Sequence, residues 1–239
     1  GIMLPNHSPL VIAEQFGTLE ALHPGRIDLG LGRAPGTDQV TWRAMRRDPA
    51  ASERFPQDVQ ELQGYLGEAS LVPGVEAVPG KGTHVPITIL GSSLFGARLA
   101  AILGLPYGFA SHFAPQALRQ AVAIYRHEFQ PSAQLAEPYV LAAANVVAAD
   151  TAEDAARQHL QVLRSRVARF VARGRRLTDD EADQVLASPQ GQQVADMMRH
   201  TAVGTAVEVR EQLESFALHA DADELILVHA ARSLEERLR

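Results

Sequence analysis

The sequence predicts an α/β fold built from parallel strands. Three observations carry this. Six short apolar, β-like runs alternate with longer helical patterns along the chain. No two of those runs are joined by a hairpin turn, so consecutive strands run parallel through right-handed crossovers. The 239 residues also suit one large domain, and a single α/β barrel takes about 250.

Each element can be read in order. Gly1 to Leu4 is the end of a strand. A tight loop, Pro5 to Pro9, follows, with Ser8 placed as N-cap and Pro9 as the first helical residue. Leu10, Phe16, Leu19 and Leu22 mark one face of the next helix, which Pro24-Gly25 stops. Arg26 to Gly32 is the second strand. Helical stretches come near Val40–Arg47 and Pro56–Leu66. Val72 to Thr83, rich in Gly, Pro and Val, reads as a loop with or without a small hairpin, and as the mobile segment.

Val85 to Leu90 is the third strand, and a helix from Ser92 to Leu103 opens at once behind it. Pro106 to Ala110 is the fourth, followed by a helix from about Pro115 to Phe129. Tyr139 to Ala148 is the fifth. Its helix runs from Thr151 to Arg173, with Asp154 three residues beyond the capping threonine. Leu177 to His200 is an extra helical pair broken near Ser188-Pro189, and Thr205 to His219 is a further helix. Glu224 to Val228 is the sixth strand, with a short helix after it.

Two architectures accommodate six βα units: an open doubly wound sheet and a (β/α)8 TIM-type barrel. Gly30-Leu31-Gly32 lacks the third glycine of a dinucleotide-binding turn. The chain opens inside a strand. The barrel reading follows, with about the first two βα units absent and further chain expected upstream of Gly1.

Composition narrows the chemistry. No cysteine occurs, which excludes disulfides, thiolate metal sites and cysteine nucleophiles. A formal charge of −6 spread over both signs argues against nucleic acid as a partner. The basic clusters Arg43, Arg46, Arg47 and Arg173, Arg175, Arg176 read as solvated helix ends. No signal peptide is expected, and no apolar run reaches the roughly 18–20 residues of a membrane span. A cytoplasmic protein that does not enter membranes is expected.

Chemistry in parallel α/β folds gathers where strands end. There the sequence places Asn6-His7, Arg33, Gly91-Ser92-Ser93, Ser111-His112-Phe113, Asp150 and His229. Gly91-Ser92-Ser93 runs straight into a helix, whose free N–H groups form either an ordinary serine cap or an anion site. Arg33 projects one strand earlier and serves either an ion pair with Asp38 or a phosphate. Together these residues point to a phosphate-bearing ligand. His7, His112 and His229 form an alternative metal set, without an H-x-H or H-E-x-x-H pattern to support it. No G-x-S-x-G elbow and no convincing carboxylate pair is present, so α/β-hydrolase and glycosidase readings fall away.

The residues in their order resemble the bacterial-luciferase-like family of flavin monooxygenases. The run Ile2 to Leu10 is similar to that family's third strand and loop, and Ala13-Glu14-Gln15-Phe16 and Leu19 to Leu22 continue the match. Pro24 to Arg33 is similar to the fourth strand. Ile89 to Ser93 with Gly96 to Ala100 is similar to the fifth and its phosphate turn. Leu105 to Phe113 resembles the sixth, and Val203-Gly204-Thr205, Val209-Arg210 and Asp223-Glu224-Leu225 resemble the last helix and strand. The resemblance covers nearly the whole chain.

It implies a single luciferase-like barrel domain over residues 1–239, the C-terminal three-quarters of one. An insertion falls around 34–84 and extra helices around 177–201. It implies reduced FMN held at Arg33, Gly91, Ser92 and Ser93, and a substrate pocket at His7, His112 and Phe113. A mobile lid falls at Val72 to Thr83. The implied reaction is oxygen-dependent oxidation of a small molecule such as an aldehyde, with a flavin reductase supplying electrons to a homodimer. The family's acid–His segment after its second strand has no counterpart here, so the resemblance assigns no catalytic residue. The readings left beside it are hydride transfer with the deazaflavin F420, a non-catalytic flavin-binding relative and a metal-dependent barrel hydrolase.

Overall fold

Leu29 and Leu31 alternate with Gly30 and Gly32 in β2 (Leu29–Gly32), and Ile87 and Ile89 alternate with Thr88 and Leu90 in β3 (Ile87–Gly91). Period-two alternation puts the large residues on one face. There Leu29, Leu31, Ile87 and Ile89 are all buried, as is Tyr107 of β4 (Tyr107–Phe109). The opposite face is nearly bare. Leu90 lies across it so closely that a Cβ on Gly30 would sit 2.6 Å from Leu90 Cδ1, and one on Gly108 2.8 Å from Leu90 Cδ2.

The computed structural model describes residues 1–172, 174–231 and 233–238. Arg173, named in a basic cluster and as a helix end above, lies outside them. The chain divides into two compact units. The first comprises Gly1–Gly91, Phe95–Gly108 and Ile124–Tyr139; the second comprises Ser92–Leu94, Phe109–Ala123 and Val140–Arg239. Strand pairing in each is parallel, which makes the fold α/β with the βα succession of a TIM-type barrel. No helix of the described residues is long and apolar enough to cross a membrane.

In the first unit, β1 (Ile2–Met3) pairs with β2, and β2 with β3; Gly32 stands in register with both Met3 and Leu90. The returns are helical: α1 (Pro9–Leu22), then α2 (Gln39–Ala44) and α3 (Phe55–Leu66), then α4 (Leu94–Leu103). Ser8 does occupy the N-cap of α1 and Pro9 its first position, although the Ser8 hydroxyl makes no capping bond.

The buried face of α1 differs from the one the leucines mark. Ile12, Ala13 and Gly17 are buried, whereas Leu19 is 40% and Leu22 66% exposed. The helix is apolar on most sides, so its leucine spacing does not select a face. Backbone proximity does. A Cβ on Gly17 would lie 2.4 Å from Gly80 Cα and 2.5 Å from the Pro79 carbonyl oxygen. The segment after Val72 therefore seats its far end on α1. It forms turns rather than a hairpin, held by N–H bonds from Lys81 to Ala77 O (3.1 Å) and from Gly82 to Gly67 O (2.9 Å).

Two side chains complete this unit's sheet. Gln134 accepts from Ile87 N (3.0 Å) and donates to Ile87 O (2.9 Å), standing in for a neighbouring strand. The Tyr125 hydroxyl, carried on α5 (Leu118–Glu128), donates to Leu105 O (2.9 Å) and accepts from Tyr139 N (3.1 Å).

The second unit is organised on β5 (Val140–Ala148), whose nine residues are mostly buried. Asn145 N and Ala149 N donate to His200 O and Gly204 O of β6 (Thr201–Gly204). Val140 O and Val146 O accept from Asp223 N and Ala230 N, flanking β7 (Glu224–His229). Odd and even residues of a strand point to opposite edges, so β6 and β7 flank β5. The sequence reading missed β6 and took its residues as the approach to a helix. Four residues with two small side chains carry no period-two signal. The free edge of β6 is closed by Gln212, whose amide donates to Val203 O (2.8 Å) and accepts from Val203 N (3.1 Å).

The helices of this unit match their capping signals. Thr151 caps α6 (Ala152–Phe170) through Asp154 N. The expected helical pair is α7 (Asp179–Leu186) and α8 (Pro189–Met197), with Ser188 capping the second. Thr205 and Glu208 form a reciprocal capping box on α9 (Ala206–Ala220). Arg164 of α6 clamps Asp183 of α7 through two bonds of 2.8 and 2.6 Å, and reaches Asp179 as well. A short α10 (Leu234–Leu238) follows β7.

The Gly17–Gly80 approach is directly testable. Gly17→Ala should destabilise the protein by about 1–3 kcal/mol, the usual cost of overpacking against backbone that must shift. Urea unfolding reads this as a lower midpoint at unchanged slope. A midpoint equal to wild type would show that α1 and residues 79–80 are not in contact.

Candidate active site

Parallel register fixes what stands at the C-terminal edge of the first unit. Since Met3, Gly32 and Leu90 are in register, the residues that follow them leave the sheet on one side. After β1 the chain makes a short 3-10 turn, Leu4–Asn6, and the Asn6 amide reaches across to donate to Pro35 O at 2.8 Å. His7 is exposed beyond that turn, its N–H bonded to Leu4 O. After β2 comes Arg33. After β3 come Gly91, then Ser92 and Ser93, and α4 begins at Leu94.

Arg33 stacks its guanidinium over the ring of Phe95, 4.3 Å from the centroid. Such a cation–π contact at an exposed position contributes about 0.5–1 kcal/mol and holds the side chain at the first turn of α4. The sequence left open an ion pair between Arg33 and Asp38. The structure removes it. Asp38 is the N-cap of α2, accepting from Val40 N (2.8 Å), Thr41 N (2.9 Å) and the Thr41 hydroxyl (2.8 Å), and these bonds hold its carboxyl below the usual range. Among the described residues Arg33 makes no ion pair. A planar cation already fixed by an aromatic face, with its charge uncommitted, suits a phosphate. Arg33 and Gly91 belong to the first unit, Ser92 and Ser93 to the second. Phe95 was not read from the sequence, where a lone phenylalanine in an apolar helix gives no sign of what it will face.

In the second unit, the turn after β4 carries Ser111, His112 and Phe113. Ser111 is fully buried and its hydroxyl donates to Ala143 O at 2.7 Å. Asn145, also fully buried, donates its amide to His112 O at 2.6 Å. The two bonds pin the turn to β5. The His112 ring sits edge-on to Phe113 at 4.7 Å between centroids. Burial, and secondarily the Arg166 guanidinium, push the His112 imidazole below its ordinary range. His112 Nδ1 and Asn145 Oδ1 are buried with no hydrogen-bond partner among the described residues. Unmatched buried polar atoms are uncommon, and a ligand's polar group would satisfy them. Asn145 was overlooked in the sequence; its signal is a single amide inside the apolar run Val140 to Ala148.

The histidine alternative gains nothing from the geometry. His229 Nδ1 accepts from Ala231 N at 3.3 Å, which is local capping. Among the described residues no group of three His, Cys, Asp or Glu side chains converges. The basic clusters behave as expected of solvated helix ends: Arg43 and Arg46 are exposed, and Arg175 pairs with Glu181 at 3.8 Å.

Comparison with known proteins identifies the family and the fold. Residues 1–221 match the family described as luciferase-like monooxygenase. A luciferase-like monooxygenase of Escherichia coli (strain K12) is 46% identical over 234 residues, covering 95% of this chain and 69% of that protein. The crystal structure of apo-MsnO8 superposes with a TM-score of 0.83 at 32% identity, over 100% of this chain and 73% of that one. The fold is also shared with the oxygenating constituent of 3,6-diketocamphane monooxygenase from Pseudomonas putida, solved in complex with FMN. Its TM-score is 0.62 at 17% identity, over 96% of this chain and 71% of that one.

The His112 environment yields a pH dependence. A histidine whose folded value is lowered takes its proton first in the unfolded chain. Its contribution is therefore intact above the unfolded value of about 6.5 and is lost as the pH falls below it. Urea melts between pH 7.5 and about 5 should show stability declining with pH, and His112→Leu should flatten part of that decline. An unchanged slope in the variant would mean that His112 titrates alike in both states.

Proposed function

The chain belongs to the luciferase-like monooxygenase family, and on that premise we propose that it is an FMN-dependent monooxygenase that oxidises a small organic substrate such as an aldehyde. The observation that carries the reading is Arg33: among the described residues its guanidinium has no carboxylate partner, and it is fixed on Phe95 in the first turn of α4. The donor set fits the cofactor's phosphate, because a cation and the N–H groups of a helix start both favour a dianion.

Arg33 and Gly91 of the first unit and, separately, Ser92 and Ser93 of the second are the residues proposed to contact the phosphate of reduced FMN. When bound, the flavin supplies the two electrons that let one atom of O2 enter the substrate while the other leaves as water. The chain's own part is placement and exclusion. His112 and Phe113 of the second unit are proposed substrate contacts, as, separately, is exposed His7 of the first. His112 stays uncharged near neutral pH because burial disfavours its cation, so it offers a neutral hydrogen-bonding imidazole there. Ser111 and Asn145 are positioning residues that keep that turn rigid. A flavin reductase is the proposed electron source, and the cytoplasm the proposed compartment. A second copy of the chain is the proposed partner. Val11, Leu19 and Leu22 supply an exposed apolar strip on α1 for it, at 45%, 40% and 66% exposure.

The test is oxygen uptake and acid formation by the purified chain with FMN, an NADH-driven flavin reductase and a long-chain aldehyde. Flavin binding without oxygen-dependent turnover would refute the monooxygenase reading, and turnover only with reduced F420 would replace the cofactor. Arg33→Ala should weaken FMN binding by about 1.5–3 kcal/mol, the scale of a charge-assisted hydrogen bond. Calorimetric titration with FMN measures it, and unchanged affinity would remove Arg33 from the site.

A further inference from the structure

Within the second unit, the start of β6 and one side of α9 bound a cavity of about 290 Å3. None of the residues lining it belongs to the candidate flavin or substrate contacts. Its floor is apolar, with Ala144, Ala202 and Leu213. One wall is aromatic: the His200 ring lies 4.7 Å from Phe216 and 5.6 Å from His219, tilted by 41° and 44°. An apolar cavity of about 150 Å3 accommodates benzene, so a substituted single ring fits this space.

Most of its polar groups are already committed. The Gln212 amide is bonded to Val203, and the Thr201 hydroxyl donates to Met198 O at 2.5 Å. Arg199 grips both oxygens of Asp196 at 2.5 and 2.6 Å. What is left is the ring nitrogens of His200 and His219 and the Ser215 hydroxyl. Among the described residues none of these has a hydrogen-bond partner, and all three can donate.

The charge balance selects the ligand. Arg199 and His219 line the cavity, no carboxylate is among the described residues that line it, and Asp196, whose charge bears on His200, is occupied by Arg199 and by Gln116 at 3.3 Å. His200 is pushed down to about 4, first by burial and then by His219 and Arg199, with Asp196 opposing. A cation would meet Arg199 and no free carboxylate. A single delocalised negative charge would meet donors on one side and an aromatic wall on the other.

We propose that this cavity binds a small organic carboxylate with a planar apolar body. The ring packs against Phe216 and His200, and the carboxylate accepts from His219 and Ser215. The inference rests on the second unit alone and does not depend on the flavin reading.

Benzoate is the probe and benzyl alcohol its neutral counterpart, each titrated into the full chain and followed by calorimetry and by the NMR signals of the histidine rings. Benzoate should saturate, move the His200 and His219 signals and raise the apparent pKa of His200, because a bound anion favours the imidazolium. Benzyl alcohol should bind about tenfold more weakly, and the double variant His219→Ala/Ser215→Ala should lose about tenfold in benzoate affinity, the loss of a charge-assisted bond. Equal affinity for the two probes would overturn the proposal, since the cavity would then be merely apolar. So would unshifted ring signals, absence of saturation, or a variant that binds benzoate as wild type does. Both replaced residues are exposed. If the variant nonetheless fails to fold, the comparison of the two probes on the wild-type chain decides alone.

Discussion

Parallel pairing of β2 between β1 and β3 is the constraint from which the rest of the first unit follows. Parallel neighbours need a crossover, and the crossovers here are helices. The same pairing sends every strand's outgoing residue to one edge. Asn6, Arg33 and Gly91 are neighbours at that edge because Met3, Gly32 and Leu90 are in register. A slip of one residue would move Leu29, Leu31, Ile87 and Ile89 off the buried face. The register is secured by those four side chains on one face, while on the other Leu90 lies so close over Gly30 and Gly108 that its methyls would have to move to admit a Cβ at either.

The second unit solves its polar problem differently. β5 is flanked by β6 and β7 and covered by helices, yet it carries Asn145 at full burial. The amide donates to His112 O and leaves its oxygen unmatched, beside an equally unmatched His112 Nδ1. Buried polar groups are normally satisfied because each unmet one costs about 1–3 kcal/mol. These two atoms, left unmatched among the described residues, belong to the turn after β4 and to β5 itself. Elsewhere in the unit the ledger closes by side-chain mimicry of backbone. Gln212 finishes the edge of β6, and Asp223 accepts from Val140 N at 2.7 Å at the start of β5. The cavity beside His200 is the second place where polar side-chain atoms lack partners among the described residues.

Local signals were legible wherever they act over a few residues. Ser188 and Thr151 cap the helices they precede, and Thr205 with Glu208 forms its box, because a cap is a contact between positions three apart. Arg33 was legible as a strand-end cation, but its freedom was not: only the structure shows Asp38 spent on α2 and Phe95 beneath the guanidinium. Similarly, the leucines of α1 gave a plausible face that the close approach of Gly17 to Gly80 overrode. Residues 17 and 80 have no local relation that a periodicity could detect.

The sequence by itself determined the α/β class, the order of the βα units, the strand-end positions of Arg33, Gly91 and His112, and the family. These are properties of short-range pattern and of residue order. The tertiary structure decided β6, the buried side of α1, the burial of Ser111 and Asn145, and the pairing of His200 with Phe216 and His219. Each of those depends on what a distant segment places opposite the residue. That is a matter of packing and desolvation, and neighbouring residues in the chain do not encode it.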